Sequence, residues 1–338
     1  MTTLAFAGAG WVAAVHGLAA RATDGVEVVR VASRTQAAAA RRAAQTGGAP
    51  GRLDDLPGGA DAVVVATPAA AHRLETERAI DAGAAALVET PLAATLDDAD
   101  RIVELAGRGP VAYAENLVHS PAVAEAVQAC RRIGELTHLE VRFAQGVPEP
   151  GSPRLDPAWG GGVLFDLGVH AVALALLMAA PARVVSAEGD LSAGEGLEVD
   201  DEATVALAFD TGLRAQVRAS WRAAAPAWDA QAASATSAVR LELVPDPVVE
   251  LNGVALRLPP APAGLAADQL HFLGYIAQLA ALAADLRAGR APRPEPAFGR
   301  LVLDIVCAAY ASARSGRPEP VPFAGPRALT PHQLWRDG

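Results

Sequence analysis

Residues 4–13 of the chain read LAFAGAGWVA, an apolar run followed by small residues with the spacing GxGxxA. Gly8 permits a tight turn after a strand, Gly10 lets the backbone approach a pyrophosphate, and Ala13 allows a helix to pack closely on the sheet. The N-terminus of such a helix binds phosphate groups. The alternative is a structural turn in an alanine-rich chain. The pattern predicts dinucleotide contacts from four residues: Gly8, Gly10, Trp11 and Val12.

Outward from this motif, short β-branched runs alternate with alanine-rich helical stretches. Five runs predict strands, at 4–7, 26–32, 62–66, 84–89 and 111–113. Nearly continuous apolar strands separated by helices are typical of a parallel sheet covered on both faces. Residues 1–120 are therefore predicted to form a doubly wound α/β domain of the Rossmann type that binds a dinucleotide.

The pattern changes after residue 120. Apolar and polar residues alternate in several runs, which predicts strands with one exposed face; the runs are 137–143, 203–209, 213–221, 239–243 and 248–251. Turn signals at 210–212 and 252–253 join neighbouring runs into hairpins. We predict a second α/β domain over 121–316 with a mostly antiparallel sheet, two closing helices at 267–288 and 298–315, and a proline-rich surface tail at 317–338.

Composition excludes several classes of protein. The chain has 338 residues and a net charge of −10, which disfavours nucleic acid and anionic membranes as partners. Its two cysteines, Cys130 and Cys307, show no metal-ligand or disulfide spacing, so no metal site is predicted and a reducing cytoplasm is expected. The apolar stretches at 4–22 and 163–180 read as a buried strand-turn-helix and a core helix, so we expect a soluble protein. All 28 basic residues are arginine, which excludes any mechanism that needs a lysine amine.

Ser33 and Arg34 follow the second predicted strand, where a dinucleotide-binding domain meets the adenine ribose. An acidic residue there would accept the 2′-hydroxyl, whereas Ser and Arg can bind a 2′-phosphate. The sequence thus favours NADP, with NAD as the alternative. For Arg41 and Arg42, further along the next helix, surface charge alone is an alternative to a role at the cofactor.

Five stretches together resemble the Gfo/Idh/MocA oxidoreductases, which include glucose-fructose oxidoreductase and inositol dehydrogenase. They follow the family order along nearly the whole chain: 8–13 with His16, 61–68 with His72, 89–93, 160–170 (GGGVLFDLGVH) and 308–313. The resemblance implies a Rossmann domain followed by an α/β domain with a large open sheet that commonly mediates oligomerisation. It also implies hydride transfer between a nicotinamide and a sugar, cyclitol or polyol.

The resemblance assigns further contacts to the nicotinamide or the substrate. These come from the loops after the fourth and fifth strands and from later positions: Ala66, Thr67, Pro68, His72, Glu89 and Asn116. One position departs from the family pattern, because Thr90 stands where the family motif Glu-Lys-Pro has its lysine. A threonine hydroxyl can donate a hydrogen bond but is too weak an acid or base to replace the amine.

Asp166 and His170 are the only polar side chains in 163–178, and their i,i+4 spacing predicts one helix face on which the carboxylate orients the imidazole. We predict that His170 moves the hydroxyl proton, with Asp166 and Thr90 completing the catalytic set; a satisfied buried pair without chemistry is the alternative. His119 reads as a solvated loop histidine, with a place in the cleft as the alternative. Trp159 reads as either a pocket wall or a packed side chain, and 200–202 as an exposed acidic turn in preference to a metal cluster.

The sequence thus predicts an NAD(P)-dependent oxidoreductase with a lysine-free proton relay, acting on a small molecule as a homo-oligomer, a dimer or a tetramer. Two alternatives share the fold. One is a dinucleotide-binding pseudoenzyme or sensor, which the loss of the lysine favours. The other is a member that reduces imines or performs lyase-type chemistry.

Overall fold

The computed structural model describes residues 1–261 and 268–336, without the side chain of Asp268. It contains two compact units that interleave along the chain. The first comprises Met1–Ala93, Asp97–His119 and Ala261–Arg300. The second comprises Ala94–Leu96, Ser120–Pro260 and Leu301–Gly338.

The elements follow one another in this order. The first part of the chain contains β1 (Thr2–Ala7), α1 (Trp11–Arg21), β2 (Val26–Ala32), α2 (Gln36–Thr46), β3 (Ala49–Gly51), β4 (Ala62–Val65), α3 (Ala69–Asp81), β5 (Ala85–Val88), α4 (Leu96–Leu105) and β6 (Val111–Tyr113). The middle contains α5 (Pro121–Ile133), β7 (His138–Gly146), α6 (Val169–Ala179), β8 (Val184–Ser192), β9 (Glu202–Phe209), β10 (Arg214–Ser220), β11 (Arg222–Ala233), β12 (Ala238–Val244), β13 (Val248–Leu251) and β14 (Val254–Ala255). The last part contains α7 (Asp268–Phe272), α8 (Tyr275–Arg287), α9 (Pro296–Ser315), β15 (Glu319–Pro320) and α10 (Pro331–Arg336).

The sheet of the first unit is parallel, in the order β3-β2-β1-β4-β5-β6. Its central strands are apolar on both faces because helices cover both; all four residues of β4 and of β5 are buried. The order reverses direction between β1 and β4. In doubly wound sheets, ligands bind at this switch point, beyond the carboxyl ends of the strands. The prediction of a Rossmann-type sheet is therefore confirmed.

A helix from late in the chain completes the first unit. Ile276, Leu279 and Leu282 of α8 are buried in the same apolar cluster as Leu4 and Phe6 of β1. Their i, i+3, i+6 spacing puts them on one face of the helix. The sequence-based domain limits placed this helix with the second domain, whereas α8 belongs to the first unit. The predicted helix began at Ala267, which lies outside the described residues.

The second unit has a nine-stranded sheet in the order β14-β13-β12-β11-β7-β10-β9-β8-β15. Its strand pairs are antiparallel except for β7 with β10, so the prediction of a mostly antiparallel second sheet is confirmed. Two of its longer strands, β8 and β11, carry too many small residues for periodicity to reveal them. Residues 317–336 form more than a surface tail, because β15 pairs with β8, and Phe323 and Leu334 are buried. Asp337 and Gly338 lie outside the described residues.

Within the described residues, two helical stretches are long and apolar enough to cross a membrane, Pro157–Ala179 and Pro296–Ser315. Their most apolar windows are 83% and 67% buried inside the protein. Such burial is typical of core helices. The cytoplasmic location stays a prediction.

Candidate functional site

The turn between β1 and α1 has the backbone that phosphate binding requires. Gly8 has a φ of +123°, and a Cβ there would lie 2.2 Å from the carbonyl oxygen of Ala66. A Cβ on Gly10 would meet nothing within 4 Å. No side chain caps the N-terminus of α1, and the first helical residue, Trp11, is 75% exposed. The first N–H groups of the helix are thus open to an anion.

A depression lies beyond the carboxyl end of β2. It is lined by Ser33, Arg34, Arg52, Leu53, Asp54 and Arg78. Arg78 is held by ion pairs to Asp54 (3.3 Å) and Glu75 (3.1 Å). Arg34 has no ion pair within the described ranges, so its guanidinium is available to a ligand. The sequence pointed to Ser33 and Arg34 but missed Arg52 and Arg78, which only the folded chain brings to the same place.

Arg42 does more than carry surface charge. Its Nε donates to the carbonyl oxygen of Ala9 at 3.3 Å, and its Nη1 donates to Gln45 at 2.5 Å. The first of these bonds ties α2 to the glycine turn. Of the two readings that the sequence leaves open, surface charge alone therefore does not describe Arg42, while Arg41 is exposed.

His72 connects the loops after β4 and β5. Its Nε2 lies 2.8 Å from the carbonyl oxygen of Thr67, and its Nδ1 lies 3.2 Å from that of Leu92. Burial lowers the pKa of His72, so the ring is neutral and donates to one of the two carbonyls. The imidazole thereby braces the loop of Ala66, Thr67 and Pro68.

Glu89 is directed into the first unit. It pairs with Nε2 of His16 in α1, and its other oxygen accepts a hydrogen bond from the backbone N–H of Thr90 at 3.1 Å. The ring of Tyr275 packs edge-on against His16, with centroids 5.7 Å apart. Glu89 thus fixes the backbone at Thr90, a role that the family motif alone does not reveal.

Asn116 and His119 follow β6 and are both anchored by backbone carbonyls. Asn116 donates its side-chain amide to Leu273 (2.8 Å), and Nε2 of His119 lies 3.1 Å from the carbonyl oxygen of Arg293. Burial lowers the pKa of His119. His119 is therefore not the solvated loop residue expected from the sequence.

Asp166 and His170 lie in the second unit, at the start of a long helical segment. Asp166 is in a π-helical turn, Leu164–Gly168, and His170 is in the first turn of α6. The predicted single α-helical face is therefore interrupted by the π turn. Burial raises the pKa of Asp166, and the positive charges of Arg154 and His170 oppose this increase.

Arg154 is the charged partner of Asp166 that the sequence did not reveal. Its Nη1 donates to Oδ2 of Asp166 at 3.0 Å. Arg154 lies in a short turn, Pro153–Leu155, twelve residues before Asp166 in the chain. Arginine in a proline-rich loop gives no signal of such a contact.

Two other expectations concern this unit. The residues at 200–202 do not form an exposed turn, because Asp200 and Asp201 are 0% and 7% exposed; their burial requires hydrogen bonds, which sequence patterns do not show.

Trp159 is half-buried, and its indole N–H has no partner within the described ranges. The described residues contain no group of three or more His, Cys, Asp or Glu that could hold a metal.

The chain matches two family models in tandem. Residues 2–117 match the model described as an oxidoreductase family with an NAD-binding Rossmann fold, and residues 122–243 match the GFO/IDH/MocA C-terminal domain.

Curated relatives align with about half of their length. A dTDP-3,4-didehydro-2,6-dideoxy-alpha-D-glucose 3-reductase of Streptomyces antibioticus is 34% identical over 167 residues, 46% of this chain and 50% of the relative. A 1,5-anhydro-D-fructose reductase of Ensifer adhaerens is 36% identical over 171 residues, 46% of this chain and 49% of the relative.

Solved structures share the fold of this protein over nearly its whole chain. GenD2 from gentamicin A biosynthesis, solved in complex with NAD, has a TM-score of 0.82 at 23% identity and covers 95% of this chain and 96% of its own. At this identity the likeness shows the fold alone. The two family models, which together match most of the chain, establish that it belongs to the Gfo/Idh/MocA family of oxidoreductases.

Proposed function

We propose that this protein is an NADP-preferring oxidoreductase that interconverts a hydroxyl and a carbonyl group on a sugar, cyclitol or polyol. The observation that carries the cofactor preference is the arginine-lined depression beyond β2. A 2′-phosphate there would face Ser33 and Arg34. Asp54, which also lines the depression and would be the acceptor for a 2′-hydroxyl, already pairs with Arg78. The curated relatives support the substrate class, since two of them are named as sugar reductases.

The first unit would hold the cofactor. The open N–H groups of α1 and the bare Gly10 fit a pyrophosphate, and the loops braced by His72 and Glu89 fit the nicotinamide end. The bound nicotinamide supplies the hydride acceptor or donor. Thr90 and Asn116 can offer hydrogen bonds at that end but no proton transfer at neutral pH.

The second unit would move the proton. In the oxidation direction, a carbinol C–H bond breaks with loss of a hydride, the O–H bond breaks, and a carbonyl group forms. His170 accepts the hydroxyl proton and returns it in the reverse direction. Asp166, which the Arg154 guanidinium keeps closer to its ionised form, stabilises the protonated imidazole. The relay therefore requires no lysine.

The cofactor assignment is tested by calorimetric titration of the cofactor-free protein with NADPH and NADH. We expect NADPH to bind at least about tenfold more tightly, the equivalent of roughly 1.4 kcal/mol. Arg34→Ala should remove this preference, while Arg41→Ala, an exposed arginine of α2, should keep it. Tighter binding of NADH would contradict the assignment.

The reaction is tested with a panel of aldoses, cyclitols, 1,5-anhydro-D-fructose and nucleotide-linked keto sugars. Absorbance of NADPH at its nicotinamide band reports hydride transfer in either direction. Turnover of one class with NADPH supports the proposal. Cofactor binding without turnover of any member would contradict it. Assembly into a homo-oligomer stays a prediction that light scattering can check.

A further inference from the structure

Asp200 is a buried carboxylate that neither cofactor binding nor proton transfer uses. It lies just before β9 and is 0% exposed. Its side chain receives three hydrogen bonds: from the N–H of Gly162 (2.9 Å), the N–H of Leu164 (2.9 Å) and the hydroxyl of Tyr310 (2.5 Å). Burying a carboxylate is costly unless it is hydrogen-bonded in this way. A fully satisfied carboxylate in this position fixes the groups that donate to it.

The backbone of Asp200 holds the same turn. The N–H of Val163 donates to the carbonyl oxygen of Asp200 at 2.7 Å. A Cβ on Gly162 would lie 2.0 Å from that oxygen, so only glycine allows the approach. Three successive N–H groups, of residues 162, 163 and 164, therefore all point to one residue nearly 40 positions away in the chain.

The hydroxyl of Tyr310 adds a second restraint. It donates to Asp200 and also accepts from the N–H of Gly162 at 3.1 Å. Burial and the neighbouring Asp200 carboxylate raise the pKa of Tyr310 well above its ordinary value, so the hydroxyl keeps its proton. Burial raises the pKa of Asp200, while the hydrogen bonds from Tyr310, Leu164 and Gly162 oppose this increase.

The anchored turn leads directly into the polar pair. The N–H of Asp166 donates to the carbonyl oxygen of Gly162 at 2.9 Å. Leu164 is also the first residue of the π-helical turn, and His170 follows it in α6. Turns of this kind are frequent at functional sites because they change the direction of one side chain relative to its neighbours. A shift at 162–164 would therefore move Asp166 relative to His170.

We infer that Asp200 and Tyr310 are positioning residues that set the relative placement of Asp166 and His170 by anchoring the turn at 162–164. This inference rests on the proposed role of the pair in proton transfer. The competing explanation is that apolar packing of Leu164 and Phe165, both buried, holds the turn alone. If the hydrogen bonds to Asp200 hold the turn, removing one of its carboxylate oxygens should displace the turn. If apolar packing holds it, the same change should leave the turn in place.

The test compares Asp200→Asn and Tyr310→Phe with Asp201→Asn in the full chain. Asp201 is a buried neighbouring aspartate that accepts bonds from Arg222 (2.6 Å) and from the N–H of Gly194 (2.9 Å). Because these donors lie outside 162–164, its substitution should leave the turn intact. Histidine side-chain NMR signals report the environment of His170, and His170→Gln identifies its signal among seven histidines. Amide exchange at Leu164 and Asp166 reports the turn itself.

In Asp200→Asn we expect a displaced His170 signal and exchange at Leu164 and Asp166 faster by about tenfold or more, because the amide NH₂ cannot accept a hydrogen bond. Tyr310→Phe removes the hydroxyl that donates to Asp200 and accepts from Gly162 but keeps both carboxylate oxygens, so it should give a smaller change in the same direction. If Asp200→Asn does not fold, Tyr310→Phe alone distinguishes hydrogen bonding from apolar packing as the cause of the turn. Asp201→Asn should leave both readouts as in the unmodified chain.

A His170 signal and turn exchange that stay unchanged in Tyr310→Phe and in folded Asp200→Asn would overturn the inference and leave apolar packing as the explanation. Equal changes in Asp201→Asn would do the same, because they would show a general loss of stability. These measurements need no substrate, so they stand even if the proposed reaction is wrong. With a sugar that the panel identifies, kcat should fall by about tenfold or more in Asp200→Asn while the Kd for NADPH stays unchanged, since misplaced groups slow chemistry without weakening a separate site.

Discussion

The glycine turn of the first unit, residues 8–10, and the polar turn of the second, residues 162–170, differ in how far along the chain their stabilising residues lie. Between β1 and α1, the positive φ of Gly8, the bare Gly10 and the uncapped helix all arise within a few successive residues. The turn that carries Asp166 depends instead on Asp200, Tyr310 and Arg154, which come from elsewhere in the chain. A site formed by the backbone of successive residues can thus be recognised in a sequence motif. A site held by hydrogen bonds from distant parts of the chain cannot.

The largest effect should come from the polar turn. His170→Ala is expected to lower kcat by about 100-fold or more, the usual contribution of a positioned acid or base, with the Kd for NADPH unchanged. Turnover is measured with the substrate that the panel identifies. His138→Ala, at an exposed histidine of the same unit, is the matched control. Full turnover by His170→Ala would show that the pair has no part in the chemistry.

Substitutions in the glycine turn should change both the free energy of unfolding and the affinity for NADPH. Gly8→Ala combines a positive φ with a contact of 2.2 Å to the carbonyl oxygen of Ala66, so we expect a loss of about 1–3 kcal/mol in the free energy of unfolding and no NADPH binding. Gly10→Ala meets open space and should weaken NADPH binding with little change in stability. Chemical denaturation and calorimetry measure the two quantities. Equal stability of the two variants would contradict the structural distinction between these glycines.

The same contrast explains what could be predicted from the sequence. The doubly wound sheet follows from nearly continuous apolar strands that alternate with helices and from GxGxxA, which depend only on neighbouring residues. The burial of Asp200 could not be predicted, because an acidic residue before a strand looks the same in an exposed turn and in a hydrogen-bonded core. The bond of Arg42 to the glycine turn and the place of Arg52 in the depression beyond β2 could not be predicted for a related reason, since both arise only when α2 and β3 pack beside β2.

A smaller effect should show how far the glycine turn depends on tertiary contacts. Arg42→Ala removes the bond from Nε to Ala9, worth about 1 kcal/mol, and should weaken NADPH and NADH binding alike, by about fivefold. Arg34→Ala should weaken NADPH binding alone. Calorimetry with both cofactors separates the two patterns. If Arg42→Ala reduced only NADPH affinity, Arg42 would contact the 2′-phosphate instead of the turn.

The smallest effect concerns the charge balance at the polar turn. Arg154→Gln removes the charge that opposes the burial of Asp166, so the pKa of Asp166 should rise further above its ordinary value. A carboxyl whose pKa is higher in the folded chain stabilises it at pH values below the unfolded pKa and loses this contribution as pH rises through the folded pKa. Arg154→Gln should therefore lower stability at neutral pH, by about 0.5 kcal/mol or less, because the guanidinium is 38% exposed and screened by water.

Carbon NMR of the aspartate carboxyl groups follows this titration directly, and Asp166→Asn identifies the signal. Arg142→Gln, which breaks an ion pair with Asp229 in the same unit, is the control and should leave Asp166 unchanged. An Asp166 that titrates at the same pH with and without Arg154 would mean that burial alone sets its pKa. The burial that the turn anchored by Asp200 and Tyr310 imposes would then set the pKa of Asp166 beside His170, and Arg154 would be free to contact the substrate.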